Sequence, residues 1–149
     1  MNPLASPGDT LRVSELALSI QAAMRRSFPR RVWVVGEVAE LERSLSKRNW
    51  FFTLAETSPA DGRRYSLGAV IWPDEQRRLF GPGGTLRGSI EPKDGIEIRA
   101  LVSIDFYAPY GALRLVVHDV DPAYTLGKLA LERRLLIERL TKEGVLARQ

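Results

Sequence analysis

The run VWVVGEVAEL, residues 32–41, is followed by a short basic loop and then by NWFFTLAE, residues 49–56. In the first run Val32, Val34, Gly36 and Val38 share one parity, and Trp33, Val35 and Glu37 share the other. In the second, Trp50, Phe52 and Leu54 alternate with Phe51 and Thr53. A period of two is the signature of a β-strand. Both faces of the first run are partly apolar, so both are expected to be covered. Gly36 inside the run predicts a bulge or a sharp bend, as the corner of a small barrel requires. Arg43, Lys47 and Arg48 lie between the runs, and Arg31 lies just before the first. Aromatics and cations crowd this hairpin. It is either a packed hairpin with a solvated turn or a surface that stacks bases and holds phosphates.

The remaining elements follow outward from that hairpin. Upstream, Leu16, Ile20 and Ala23 recur at helical spacing, and Pro29 ends the pattern. This predicts an amphipathic helix over 14–28, with Ser14 as its N-cap and Val13 stapled onto Leu18. Trp33 is expected to pack against this helix. Downstream, the turn PADG at 59–62 precedes a third strand over 65–72. PDE at 73–75 then opens a short helix to about Phe80, and GPGGTLRG at 81–88 reads as a flexible loop. Ile96, Ile98, Ala100, Val102 and Ile104 alternate without a break and give the clearest strand. YAPYG at 107–111 is a hairpin loop, and Leu113, Leu115 and Val117 lead a fifth strand closed by Asp121-Pro122. A last helix is expected from about Leu126, with Gly144 as its stop.

Five strands with a helix between the third and fourth is the order of an OB-fold barrel. The expected fold is mainly β: a five-stranded OB barrel with an N-terminal helix and a C-terminal linking helix. The segments are a flexible tail at 1–10, a helix at 11–29, the OB-fold at 30–122 and the linking helix at 123–149. OB barrels bind oligonucleotides across strands two and three and the flanking loops between strands one and two (L12) and four and five (L45). The basic patch occupies L12, and Tyr107 and Tyr110 occupy L45.

Composition narrows the function classes. The 149 residues are 44% hydrophobic and 27% charged, an ordinary globular balance. The chain has no cysteine, which excludes disulfides, thiolate metal sites and cysteine nucleophiles. No signal peptide and no membrane span are read, and a cytoplasmic location is expected. The net charge is +4, and the excess is local. Residues 25–87 carry 12 Lys/Arg against 7 Asp/Glu, whereas residues 88–149 carry 9 of each. A localised basic excess suits a polyanionic partner.

The candidate nucleic-acid contacts are Arg43, Lys47, Arg48, Arg63, Arg64 and Arg114 for phosphates, with Phe51, Trp72, Tyr107 and Tyr110 for bases. Each has a plain alternative. Any one cation can be solvated surface, Phe51 can pack under a loop, and the tyrosines can merely pack their turn. Trp50 has core parity and reads as structural. His118, the only histidine, cannot build a metal cluster alone. The carboxylates form no identifiable acid–base pair. No catalytic residue and no metal ligand is therefore named.

With these residues in place, the chain resembles the N-terminal region of the exodeoxyribonuclease VII large subunit. The family's V-W-V-x-G-E-I-S/A-N block is similar to Val32-Trp33-Val34-Val35-Gly36-Glu37-Val38-Ala39-Glu40. Its G-H-x-Y-F-T-L-K-D block is similar to Arg48-Asn49-Trp50-Phe51-Phe52-Thr53-Leu54-Ala55-Glu56. Its D-G-x-x-V and Y-x-x-x-G patterns resemble the chain at 94–98 and 107–111. Its L-x-x-E-G-L/V ending resembles Leu140-Thr141-Lys142-Glu143-Gly144-Val145. The likeness spans 11–146. It departs where Arg48 replaces the usual Gly, Asn49 the usual His, and Ala55-Glu56 the usual Lys-Asp.

The resemblance implies a domain that binds single-stranded DNA, followed by a nuclease domain that this chain does not contain. Long helices in that absent part would carry the small subunits. The segment itself would be non-catalytic and free of cofactors, with the metal dependence of the full enzyme left open. Two other readings stay open: an OB domain used for protein contacts, and an RNA-binding OB module.

Overall fold

The computed structural model describes residues 8–147, with side chains described as far as residue 144. The tail expected at 1–10 falls mostly on residues outside that range. The elements are α1 (Val13–Ser27), β1 (Val32–Ala39), β2 (Trp50–Thr57), β3 (Arg64–Ile71), α2 (Pro73–Phe80), β4 (Glu97–Tyr107), β5 (Ala112–Val120) and α3 (Pro122–Ala147). The strands close into a barrel in the order β1-β2-β3-β5-β4. Only β3 and β5 run parallel; the other pairings are antiparallel. This is the five-stranded OB barrel with flanking helices that the strand order predicts.

Alternation sorts the side chains. Phe52 and Leu54 on β2, Ile98, Ala100 and Val102 on β4, and Leu115 and Val117 on β5 point inward and are buried. α2 follows from Pro73 at its first turn. Its Leu79 is fully buried against the barrel core. Trp50 packs its ring on Phe80 at 5.6 Å, in the structural role its parity suggests.

Gly36 marks the corner. β1 pairs with β4 through Glu37 and with β2 from Glu37 onward. A Cβ at Gly36 would meet the Ala55 backbone and the Leu54 Cβ at 3.4 Å, so the absent side chain lets β2 cross closely. The bulge lies elsewhere. The β4–β5 register shifts between Leu101 and Val102, leaving His118 unpaired on β5.

Several local expectations are corrected. α1 starts at Val13, and the Arg12 N–H donates to the Glu15 carboxylate at 3.0 Å, so Ser14 lies inside the helix and is no cap. Val13 is exposed and staples nothing. Trp33 lies under the Arg99 guanidinium at 4.2 Å. The 81–88 loop is anchored, since Leu86 is fully buried and Ile90 nearly so. α3 starts at Pro122, where the Asp121 carboxylate accepts from the Ala123 and Tyr124 N–H groups. It continues through Gly144 to Ala147. No helix among the described residues is long and apolar enough to cross a membrane.

Candidate nucleic-acid interface

Because Phe52 and Leu54 fill the barrel, Phe51 faces out, 47% exposed. Its ring meets Trp72 edge-on at 6.1 Å. The Arg114 guanidinium lies over Trp72 at 5.3 Å and over Tyr107 at 4.9 Å. Tyr107 stacks on Tyr110 at 5.8 Å. Five sequence candidates thus form one continuous row across the outside of β2, β3 and β5 and into L45. The row is mostly flat π surface. Tyr110 is 85% exposed at its open end.

Arg114 acts in this row mainly as a plane. Its Nε donates to the Asp105 carboxylate at 2.9 Å, which offsets its charge and fixes the guanidinium between two rings. Each cation–π contact of this kind is worth about 0.5–1 kcal/mol when exposed.

L12 is tied to the same row at both ends. Ser44 is buried, and its Oγ accepts from the Phe51 N–H at 2.9 Å. The same hydroxyl lies 2.8 Å from the Phe51 carbonyl and 3.0 Å from the Leu41 carbonyl, either of which can take its proton. At the other end the Gln76 amide donates to the carbonyls of Arg48 and Ile71, both at 2.8 Å. One side chain on α2 therefore joins the end of L12 to the residue before Trp72. Neither Ser44 nor Gln76 carries a signal in the sequence, because each acts through partners distant along the chain.

L12 begins at Glu40, the one non-glycine with positive φ among the described residues, at 62°. A left-handed residue of this kind costs about 1–2 kcal/mol. Its carboxylate accepts from Thr53 Oγ1 at 3.2 Å and pairs with Arg43 at 3.1 Å, which holds the turn. Arg43 is thereby partly neutralised. Lys47 and Arg48 are exposed and have no ion pair among the described residues.

Arg63 and Arg64 stand apart. Phe51 is opposite Val70 and Thr57 is opposite Arg64, six residues further along the β2–β3 ladder. At about 3.3 Å per residue that is about 20 Å. Between them the positions of the same parity are small: Thr53 opposite Gly68, and Ala55, itself buried under the close crossing at Gly36, opposite Ser66. A Cβ at Gly68 would meet nothing within 4 Å. The hairpin tip is itself braced. The Tyr65 hydroxyl and the Arg63 N–H both donate to Asp61, which lowers the Asp61 pKa and raises that of Tyr65.

His118 lies away from the row. Its Nε2 is 2.7 Å from Ser103 Oγ. Burial first, and then the Arg31 charge, depress its pKa below the ordinary 6.5. Among the described residues no group of three or more His, Asp or Glu is placed to hold a metal ion. The arrangement offers stacking surface, backbone-fixed loops and free cations, which is binding chemistry.

The model of a family described as an OB-fold nucleic acid binding domain matches residues 11–121. The exodeoxyribonuclease 7 large subunit of Alcanivorax borkumensis is 26% identical over 146 residues, 98% of this chain and 29% of that protein. The subunit of the same name from Rhodopirellula baltica is 28% identical over 141 residues, 95% of this chain and 28% of that protein. The chain thus spans less than a third of the length of these relatives. A solved mitochondrial single-stranded DNA binding protein from S. cerevisiae superposes with a TM-score of 0.44 at 15% identity, over 63% of this chain and 92% of its own. With the family model covering the first helix and the whole barrel, the chain belongs to the OB-fold nucleic acid binding domain family.

Proposed function

We propose that this barrel holds single-stranded DNA along the Phe51–Trp72–Arg114–Tyr107–Tyr110 row and presents it to a nuclease domain of the exodeoxyribonuclease VII kind. The observation that carries the reading is the continuity of that row. Rings in file, with Phe51, Tyr107 and Tyr110 exposed and Trp72 partly so, can accept successive bases only when those bases are unpaired, because a duplex keeps its base faces stacked internally. Stacking on an aromatic contributes about 1–3 kcal/mol per base and tolerates any sequence. Lys47 and Arg48 sit beside the Phe51 end to meet phosphates. The choice of DNA over RNA rests on the names of the relatives.

On this reading the chain binds without cutting. Hydrolysis, any divalent metal and the small-subunit contacts belong to the nuclease domain and its helices, and the assembly works in the cytoplasm. The exposed apolar side chains of α1 and α3, such as Leu18, Leu135 and Ile137, favour protein contacts made in addition by the terminal helices.

Fluorescence anisotropy of a labelled single-stranded oligonucleotide tests the proposal, with unlabelled duplex and RNA of the same sequence as competitors. Salt-sensitive binding with poor competition by duplex is expected. Equal competition by duplex, or no binding at low salt, would overturn the groove reading. Stronger competition by RNA would move the assignment to an RNA-binding module.

A further inference from the structure

The outer half of the β2–β3 hairpin leaves the barrel wall. β2 and β3 stay paired with each other from Trp50–Ile71 out to Thr57–Arg64. β1, however, pairs with β2 only from Glu37 to Ala39, and β5 pairs with β3 only at Ala69 and Val70. The hairpin face that continues the core carries Leu54 opposite Leu67 and Glu56 opposite Tyr65. Between that face and Val34, Val35 and Leu115 lies an open apolar recess of about 150 Å³. Leu54 and Leu115 are buried at its base, while Leu67 and Tyr65 on its wall are 44% and 53% exposed.

Size, polarity and position say what this recess can hold. An apolar cavity of about 150 Å³ accepts a benzene-sized ring, so one six-membered ring seats here and a two-ring purine stands partly outside. The lining is aliphatic apart from Tyr65, Ser66 and Glu56. The Tyr65 hydroxyl is committed to Asp61. Glu56 is exposed and has no ion pair among the described residues, so its carboxylate is an open acceptor. Leu115 follows Arg114 on β5, so the recess adjoins the aromatic row. Arg64, next to Tyr65, is exposed and also without an ion pair among the described residues. Gly68, where a Cβ would meet nothing within 4 Å, leaves the hairpin low between the row and Arg64.

We propose that the recess takes one cytosine of the bound strand, an inference that rests on the single-strand reading of the row. The ring enters among Val35, Leu54 and Leu67, its N4 amino group donates to the Glu56 carboxylate, and Arg64 meets a neighbouring phosphate. A carboxylate accepts from the cytosine amino group, whereas uracil and thymine present an oxygen at that position. Two acceptors facing each other repel, and thymine adds a methyl group. The row gives affinity that ignores sequence, and the recess adds a preference at one position.

Anisotropy titrations of the chain with oligodeoxycytidine and oligodeoxyuridine of about twelve nucleotides test this, at mildly alkaline pH to keep cytosine unprotonated. The two strands differ only in the amino group and the oxygen that replaces it. Cytosine should bind about five- to tenfold more tightly, the low end of what a base-reading contact supplies. Glu56→Gln offers both a donor and an acceptor, and should bring the two affinities together. Leu67→Trp fills the recess and should do the same while the uridine strand still binds. Circular dichroism confirms that both variants are folded. Phe51→Ala should weaken both strands and leave their ratio unchanged, so a failure of the row and a failure of the recess read differently. As a second measurement, deoxycytidine monophosphate at millimolar concentration should shift the methyl resonances of Val35, Leu67 and Leu115 more than deoxyuridine monophosphate does. Equal affinity for the two strands would overturn the proposal and leave the row intact. A preference that survives Glu56→Gln or Leu67→Trp would overturn it, as would methyl resonances that neither nucleotide moves.

Discussion

Replacing Phe51 by alanine separates binding from packing. In the folded chain Phe51 is 47% exposed and touches Trp72 edge-on at 6.1 Å. Full burial of a phenylalanine side chain is worth about 1.5–3 kcal/mol, so a half-buried ring contributes about 1 kcal/mol. The edge-on aromatic pair adds about 0.5–1.5 kcal/mol. Phe51→Ala should therefore cost about 1.5–2.5 kcal/mol of stability, a fall in Tm of about 3–10 °C at this chain length. Such a protein is still folded at room temperature.

Binding should suffer more than folding. A base that stacks on Phe51 loses about 1–3 kcal/mol, which raises Kd about 5- to 150-fold. Anisotropy titrations at several salt concentrations give both Kd and its salt slope. The slope reports phosphates neutralised, and Phe51 carries no charge, so the slope should not change. The expected result is a weaker complex with an unaltered slope. If Kd stays within twofold while Tm falls, Phe51 serves packing alone. The reasoning that joins the five side chains into a base-binding row would then be refuted.

Other perturbations probe the remaining parts. Changing Lys47 and Arg48 together to alanine should make the salt slope shallower by about 1.4, as two single-strand phosphates lose their cations. Changing Arg63 and Arg64 to alanine should weaken an oligonucleotide of about twelve nucleotides and spare one of about four, because only the longer strand reaches the hairpin tip. Ser44→Ala leaves the Phe51 N–H inside the fold without its acceptor, and thermal melting should show a loss of about 1–3 kcal/mol. His118 has a folded pKa below the unfolded 6.5, so the folded state binds fewer protons than the unfolded state as pH falls. Its contribution is complete above pH 6.5 and is lost as pH drops through that value toward the folded pKa; melting curves from pH 7.5 downward should show this loss, and His118→Gln should remove it.

The barrel was legible because its strands keep strict alternation. Ile96 to Ile104 reads as a strand from period alone, and the turn at Pro59–Gly62 and the hairpin loop at 107–111 bracket the rest. The site was legible to the extent that its residues sit at fixed parity on those strands: Phe51 opposite to Phe52 is one decision, and the fold confirms it. What was hidden depended on distance along the chain. GPGGTLRG looks flexible because four of its eight residues are glycine, yet Leu86 anchors it in the core. The Leu86 N–H donates to the Leu79 carbonyl at 2.8 Å, a contact between a loop and the helix before it that no local pattern encodes. The start of α3 was misplaced for a different reason. Asp121-Pro122 ends a strand and starts a helix with the same two residues, and only the first role was read. Gln76 was invisible because an amide in a helix gives no hint that it bridges two other segments.

On the proposed reading, the charges make stacking rather than attraction the source of a preference for unpaired strands. Arg43 and Arg114 are both held by carboxylates, Glu40 and Asp105, within 3.1 Å. Their net attraction for a phosphate is reduced accordingly, and exposed pairs of this kind contribute little to stability either. Lys47, Arg48, Arg63 and Arg64 remain, placed at two ends of the β2–β3 surface and separated by about 20 Å of small side chains. Four cations so spread attract any polyanion, duplex included, and confer speed more than choice. Choice has to come from the surface between L12 and L45. There the guanidinium of Arg114, with its charge offset, completes a row of rings instead of adding a further phosphate site. On the proposed reading a duplex would satisfy the cations and gain nothing from the row, whereas an unpaired strand would gain from both, the difference being the stacking energy of the bases the row can hold.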